Sequence, residues 1–147
     1  MKNFGLALSL MLCLVACESR CIVSSIQAEL TETGQVDLAQ IAPGGWDRVC
    51  ILGPYSTDEE AALLVGAPWS LRGNSSAWES DGVSALLLVR GQTVLSSVDV
   101  SRAHADFSGQ SDKCFPREKA RFVRLPGSKE LVPAAGLPAL PRSRTNH

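Results

Sequence analysis

The chain has 147 residues, of which 45% are hydrophobic and 20% are charged, and its formal net charge at pH 7 is −1. This length suits one compact domain with flexible ends, and the apolar fraction is typical of a globular protein. Proteins that bind nucleic acid carry an excess of basic residues, so the net charge argues against nucleic acid as a partner.

The first 16 residues have the pattern of a secretory signal peptide. Lys2 provides a positive charge, and an uncharged run follows from Phe4 to Ala16. A membrane-spanning helix needs about 20 residues, so this run is too short to be one. An ordinary cleavage site after Ala16 needs a small residue at the third position before the cut, where this chain has Leu14. A plain signal peptide followed by a chance cysteine is therefore the less favoured alternative.

The stretch LVAC at positions 14–17 resembles the lipobox of bacterial lipoproteins. In such proteins the cysteine receives a diacylglyceryl group and becomes the first residue after cleavage. The resemblance implies that Cys17 is lipidated and anchors the protein to a membrane of the cell envelope. Residues 17–25 are then predicted to form a lipidated tether. Glu18 stands where an aspartate favours the inner membrane of enterobacteria, so we expect the outer membrane, with the protein facing the periplasm.

Five cysteines must be assigned. Cys13 would leave with the signal peptide and Cys17 would carry lipid, which leaves Cys21, Cys50 and Cys114. Export to an oxidising compartment favours a disulfide. Cys50 and Cys114 lie in segments that are predicted to be ordered, whereas Cys21 lies in the predicted tether, so the pair Cys50–Cys114 is favoured. A bond from Cys21 to either of them, or no bond, remains open.

Two helices and a strand come first in the predicted domain. Residues 26–32 favour a helix, and residues 49–52 are apolar and β-branched, which is typical of a short strand. The second helix is the best marked, because Thr57 and Glu60 form a capping box at its start and Gly66 is a typical stop.

Three further strands follow. Residues 85–89 are a continuous apolar run, typical of a strand buried on both faces, and residues 94–100 alternate as its hairpin partner. Residues 120–125 are predicted to be the third strand of that sheet. Residues 26–126 therefore predict an α+β fold, a small antiparallel sheet of three to four strands with one or two helices packed on one face. Residues 127–147, rich in Pro, Ala and Arg, are predicted to be a disordered tail.

Charge is distributed unevenly along the chain. Residues 17–81 carry ten acidic residues and three arginines, whereas residues 82–147 carry ten basic residues and five acidic ones. A basic surface that faces an acidic partner or anionic lipid would explain this pattern. The simpler interpretation, which we favour, is that the two halves fold together and neutralise each other.

No catalytic motif stands out, and we assign no catalytic residue. His104, Asp106 and Cys114 do not have the spacing of a known metal site, so no metal or cofactor is expected. The alternative function is a small periplasmic hydrolase that uses Asp and His side chains. That hypothesis requires Asp47, Asp81, His104 and Asp106 to lie together in one concave site.

The aromatic residues are the best candidates for a binding surface. Trp46, Trp69 and Trp78 lie at element boundaries, and Tyr55 lies in a Gly-Pro-Tyr turn. Tryptophan at such positions often packs at the rim of a core with its N–H bonded. Tryptophan and tyrosine also dominate protein-binding hot spots. We therefore take Trp46, Tyr55 and Trp69 as candidate partner contacts.

Several short stretches of this chain resemble a group of uncharacterised proteobacterial lipoproteins, and they span most of residues 36–124. They are Trp46-Asp47-Arg48-Val49-Cys50, Gly53-Pro54-Tyr55, the capped helix that ends at Gly66, Asp81-Gly82, Asp106-Phe107 and Cys114-Phe115. The resemblance implies a lipoprotein and no activity. Val65-Gly66-Ala67-Pro68 also resembles one turn of the small outer-membrane assembly lipoproteins.

Taken together, these patterns predict an envelope lipoprotein without catalytic activity. Its domain is expected to hang from Cys17 into the periplasm, where it binds an envelope protein or has a structural role. The hydrolase is the alternative.

Overall fold

The computed structural model describes residues 4–135, with side chains from residue 18 onward. The first helix, α1 (Phe4–Thr33), ends at Gly34, whose φ of +72° closes the helix as its N–H donates to the Leu30 oxygen at 3.0 Å. Strand β1 (Gln35–Asp37) and the single turn α2 (Leu38–Ile41) follow. The side chains of the predicted signal peptide and of Cys17, and the tail from residue 136 onward, lie outside this description.

The central element is an antiparallel sheet of four strands. They are β2 (Arg48–Leu52), β3 (Val83–Arg90), β4 (Thr93–Ser101) and β5 (Lys113–Pro116), in the order β4-β3-β2-β5. The hairpin of β3 and β4 is confirmed, and Gly91, with a φ of +60°, forms its tight turn. A 3-10 turn (Arg117–Lys119) follows β5.

A second sheet of three strands corrects the predicted topology. Strands β6 (Arg121–Arg124) and β7 (Leu131–Pro133) join β1 in the order β1-β6-β7. Residues 120–125 are therefore not a third strand of the hairpin sheet, because β6 pairs with β1 instead. The domain also extends past residue 126, since the side chain of Leu131 in β7 is buried and cannot belong to a disordered tail.

The second well-marked helix, α3 (Asp58–Val65), has the predicted ends. The N–H of Glu60 donates to Thr57 Oγ1 at 3.2 Å, and the N–H of Thr57 donates back to Glu60 Oε2 at 2.8 Å, which completes the capping box. Gly66 has a φ of +81° and its N–H bonds the Ala62 oxygen. These contacts satisfy backbone groups that would otherwise be unpaired at both helix ends.

The α+β fold is confirmed, but helices cover both faces of the four-stranded sheet. Val49 and Ile51 of β2 face a core that contains α1 and the three-stranded sheet, while Leu52 faces a second core that contains α3. Successive side chains of a strand point to opposite faces of the sheet. Because each face of this sheet is covered by a core, β2 and β3 are buried on both sides. Helix α1 therefore packs on one face of this sheet and α3 on the other.

The predicted tether is wrong from Ile22 onward. Residues 17–25 belong to α1, and the side chains of Ile22, Ile26 and Leu30 are 2%, 0% and 2% exposed. Their spacing of four residues places them on one side of the helix, against the first core. The helix is thus docked on the domain within five residues of Cys17.

Candidate partner-binding site

Trp46 is a core residue and not a surface contact, which corrects one candidate. Its side chain is 2% exposed, its indole N–H donates to the Ala42 oxygen at 3.0 Å, and the Arg117 guanidinium lies over its ring at 4.4 Å. A partner could reach this ring only if the domain opened. Trp46 instead closes the core beside the first residues of β2.

Tyr55 has the opposite placement. Its side chain is 62% exposed, and its backbone is in the left-handed region, with a φ of +60°. A bulky residue rarely adopts that conformation, which costs about 1–3 kcal/mol and often marks functional sites. The N–H of Tyr55 donates to the Ala77 oxygen at 2.6 Å, which holds the turn against the loop before β3.

The turn before Tyr55 depends on a close approach at Gly53. A Cβ atom at Gly53 would overlap the Ser111 hydroxyl. On the other side of the turn, the buried Ser56 Oγ donates to the Gly53 oxygen at 2.9 Å. The fold therefore presents the Tyr55 ring to solvent on a rigid turn rather than on a flexible loop.

Tyr55 forms one wall of a surface groove, which we call the Tyr55 groove. It is lined by Tyr55, Ser56, Thr57, Asp58, Glu59, Arg72 and Trp78. The Arg72 guanidinium lies 4.8 Å from the centre of the Trp78 ring, a cation–π contact. The Asp58 carboxylate accepts hydrogen bonds from the N–H groups of Leu71 and Arg72 at 2.7 and 3.1 Å, so the start of α3 fixes the loop that carries Arg72.

An exposed apolar strip continues from the groove along α3. Leu63 is 82% exposed, and it lies with Ala62, Ala67 and Pro68 beside Glu59, which also lines the Tyr55 groove. Tyrosine, tryptophan and arginine are the residues that most often contribute strongly to protein interfaces. The combined surface thus has the composition of a protein-binding site.

The other two tryptophans divide between core and groove. Trp69 is half-buried against the second core and does not line the Tyr55 groove, whereas Trp78 does. The sequence does not predict the contact between Arg72 and Trp78, because residues six positions apart in a loop follow no helical or strand periodicity. Leu63 could have been found, since it lies off the apolar stripe of Ala61, Leu64 and Val65.

The four residues of the hydrolase hypothesis do not form one site. The Asp47 carboxylate accepts the N–H of Gly91 at 2.7 Å, at the hairpin turn. Asp81 precedes the other end of β3, and a strand of this length spans about 23 Å. His104 and Asp106 also lie at that distant end, just after β4. The concave site that the hypothesis requires is therefore absent from the described residues.

Asp106 itself is held in an ion pair. Its carboxylate accepts hydrogen bonds from Arg102 Nε at 3.0 Å and Nη2 at 3.1 Å, and from the N–H of Ser108 at 2.9 Å. Burial alone would raise the pKa of Asp106, but the hydrogen bonds from Arg102 and Ser108 outweigh it and hold the pKa below its usual value. Asp106 is thus an ionised structural group.

Asp112 differs, because burial and then the nearby negative charge of Glu60 raise its pKa. It lies next to β5, and its φ is +62°. In the part of the chain that the structure describes, no three His, Cys, Asp or Glu side chains form a group that could hold a metal ion.

Cys50 and Cys114 form a disulfide, the pairing that the sequence favours, and the bond links β2 to β5. Cys21 is exposed and has a free thiol. None of the described helices is long and apolar enough to cross a membrane.

The chain matches no protein-family model, no curated protein and no solved structure.

Proposed function

We propose that this protein is a lipid-anchored lipoprotein of the bacterial cell envelope whose domain binds another envelope protein through the Tyr55 groove. The anchor is proposed from the lipobox at Cys17. The disulfide between Cys50 and Cys114 supports an oxidising compartment, because such bonds persist mainly in exported proteins.

The observation that carries the binding role is the exposure of Tyr55 on a fixed turn. A ring that is 62% exposed contributes little to folding, yet the chain holds it in an unfavourable backbone conformation. Binding to a rigid site loses less conformational entropy than binding to a flexible one. A pre-formed aromatic surface beside Arg72 and Leu63 therefore favours a protein partner.

Site-specific photo-cross-linking tests the proposal in the native envelope. A photoreactive phenylalanine analogue replaces Tyr55, and the same analogue at Leu95, 41% exposed on β4, is the control. We expect an adduct of defined mass from position 55 and none from position 95. Equal adducts from both positions, or none from position 55, would contradict the binding site.

The anchor has a separate test. The intact mass of the protein purified from membranes should correspond to a chain that begins at Cys17 and carries acyl groups. An unmodified Cys17 would disprove the lipid anchor. The binding site would then be judged only by the cross-linking result at Tyr55.

A further inference from the structure

The two ends of the four-stranded sheet differ in charge. Antiparallel pairing brings the start of β2, the end of β3 and the end of β5 to one end, beside Gly91, which we call the turn end. Arg117 lies there as well, because its N–H donates to the Asp47 oxygen at 2.9 Å. The basic residues of this end are Arg48, Arg90, Arg117, Lys119 and Arg121, and its acidic residues are Asp37, Asp47 and Glu118.

The opposite end, which we call the far end, carries the acidic residues. The start of α3, the residues before β3 and the residues before β5 all lie there. The acidic residues are Glu32, Asp58, Glu59, Glu60, Glu79, Asp81, Asp99, Asp106, Asp112 and Glu130, and the basic ones are Arg72, Arg102, Lys113, Arg124 and Lys129. The two halves of the chain fold together, but acidic and basic residues are distributed unequally between the two ends of the sheet.

Helix α1 runs from the turn end to the far end. Its last turn lies at the far end, because Arg124 donates its N–H to the Gly34 oxygen at 2.9 Å and its Nη2 to the His104 oxygen at 2.8 Å. From there α1 packs against β4, with Ile22 in the same core as Val98.

The part of α1 that follows Cys17 and strand β4 have similar lengths. From Cys17 to Thr33 the helix rises about 24 Å, and β4 spans about 26 Å. Helix α1 is therefore long enough to reach from the far end to the turn end at Cys17.

The distance between anchor and domain is short. Ile22 is buried and lies five positions after Cys17 in the helix, a rise of about 7.5 Å. Basic residues are attracted to an anionic membrane within a Debye length, about 8 Å at physiological salt. Arg90, Lys119 and Arg121 are exposed at the turn end, close enough to be drawn to such a surface.

We propose that the turn end faces the anionic headgroups of the membrane that holds the lipid of Cys17. The proposal rests on the proposed lipidation of Cys17. The anionic headgroups attract the basic turn end and repel the acidic far end, and together these forces give the domain one orientation. The Tyr55 groove, which lies at the far end with the start of α3, then points away from the membrane towards a partner.

The lysines of the chain provide a built-in test. After Lys2 the chain has three lysines, of which Lys119 lies at the turn end, while Lys113 and Lys129 lie towards the far end. Lipidated protein is placed in vesicles that contain phosphatidylglycerol, in pure phosphatidylcholine vesicles and in detergent. A water-soluble amine-acylating reagent then labels exposed lysines, and mass spectrometry gives the extent at each position.

We expect labelling of Lys119 to fall by at least about threefold in the anionic vesicles relative to detergent, with Lys113 and Lys129 unchanged. High salt or pure phosphatidylcholine should restore it. The orientation would be overturned if Lys119 in anionic vesicles stayed as reactive as in detergent. It would also be overturned if all three lysines were equally protected. An intact mass without acyl chains would overturn the anchor as well, so the two failures are distinguishable.

A charge-reversal pair completes the test. Arg90→Glu with Arg121→Glu should abolish the protection of Lys119, because both side chains are exposed and make the turn end acidic. Lys129→Glu, at the far end, is the matched control and should leave Lys119 protected. Circular dichroism checks that each variant is folded. Protection that survives the paired reversal would contradict the proposal.

Discussion

Cys50 and Cys114 face each other directly across the β2–β5 pair, and their disulfide closes a loop between positions 64 residues apart. Strand β5 has only four residues and forms an edge of the sheet, so its attachment depends strongly on this bond. The bond also joins the segment before α3 to the segment that leads into the three-stranded sheet. It therefore fastens the edge strand β5 to β2 within the four-stranded sheet.

Loss of the disulfide should destabilise the domain strongly. In the chain-entropy account, a loop of this length contributes about 4 kcal/mol to the free energy of unfolding. We expect the paired change Cys50→Ala with Cys114→Ala to lower the urea midpoint accordingly, and reductant to lower that of the unchanged protein. Cys21→Ser is the control, since the exposed free thiol should not affect stability. Equal midpoints with and without reductant would show that the bond is dispensable.

Two aromatic residues nine positions apart should respond in opposite ways. Trp46→Ala removes a buried ring and its hydrogen bond to Ala42, which should cost about 3–5 kcal/mol of stability. Tyr55→Ala removes an exposed ring and should change stability by less than about 0.5 kcal/mol. Chemical denaturation measures both. If Tyr55→Ala unfolded the domain, Tyr55 would be a structural residue and could not be tested as a binding residue.

Local signals account for the parts of the fold that the sequence predicts correctly. The cap at Thr57, the stop at Gly66 and the alternation of β4 each depend on neighbours a few residues away. The second sheet escaped prediction because β1 and β6 pair across nearly the whole domain, for example Val36 with Phe122. Nothing local to either segment specifies which sheet it joins.

The candidate site shows the same limit. The residue type and the turn indicate Tyr55 as a binding residue, but its exposure depends on the contact with Ala77. Trp46 has a similar local setting, beside glycines and an aspartate, and is buried because Arg117 and Ala42 cover its ring and its N–H. Only the tertiary structure distinguishes the two.

Two buried serines make a second matched pair. Ser84 in β3 is fully buried, and its hydroxyl has no hydrogen-bond partner among the described residues. Because an unpaired buried hydroxyl costs about 1–3 kcal/mol, Ser84→Ala should raise the free energy of unfolding by about 1 kcal/mol. Ser56→Ala should lower it by about 1 kcal/mol, since that hydroxyl bonds the Gly53 oxygen. Thermal unfolding distinguishes the two, and a loss of stability in Ser84→Ala would indicate a hidden partner.

Asp106 and Asp112 should give the stability opposite dependences on pH. The pKa of Asp106 is lowered in the folded protein, so its contribution is present above its unfolded pKa and is lost as the pH falls through the folded pKa. Asp106→Asn should therefore destabilise the domain at pH 7. The difference from the unchanged protein should shrink below about pH 4.

The pKa of Asp112 is raised, so its contribution is present below its unfolded pKa and is lost as the pH rises through the folded pKa. Asp112→Asn should stabilise the domain at pH 7, because it removes a charge that is partly desolvated and also lies near Glu60. Asparagine tolerates the φ of +62° at this position, so the backbone should not oppose the change. Urea midpoints of both variants at pH 7 and near pH 3.5 measure the two effects. A gain for Asp112→Asn that persisted unchanged at the lower pH would show that the negative charge of Asp112 is not its cause.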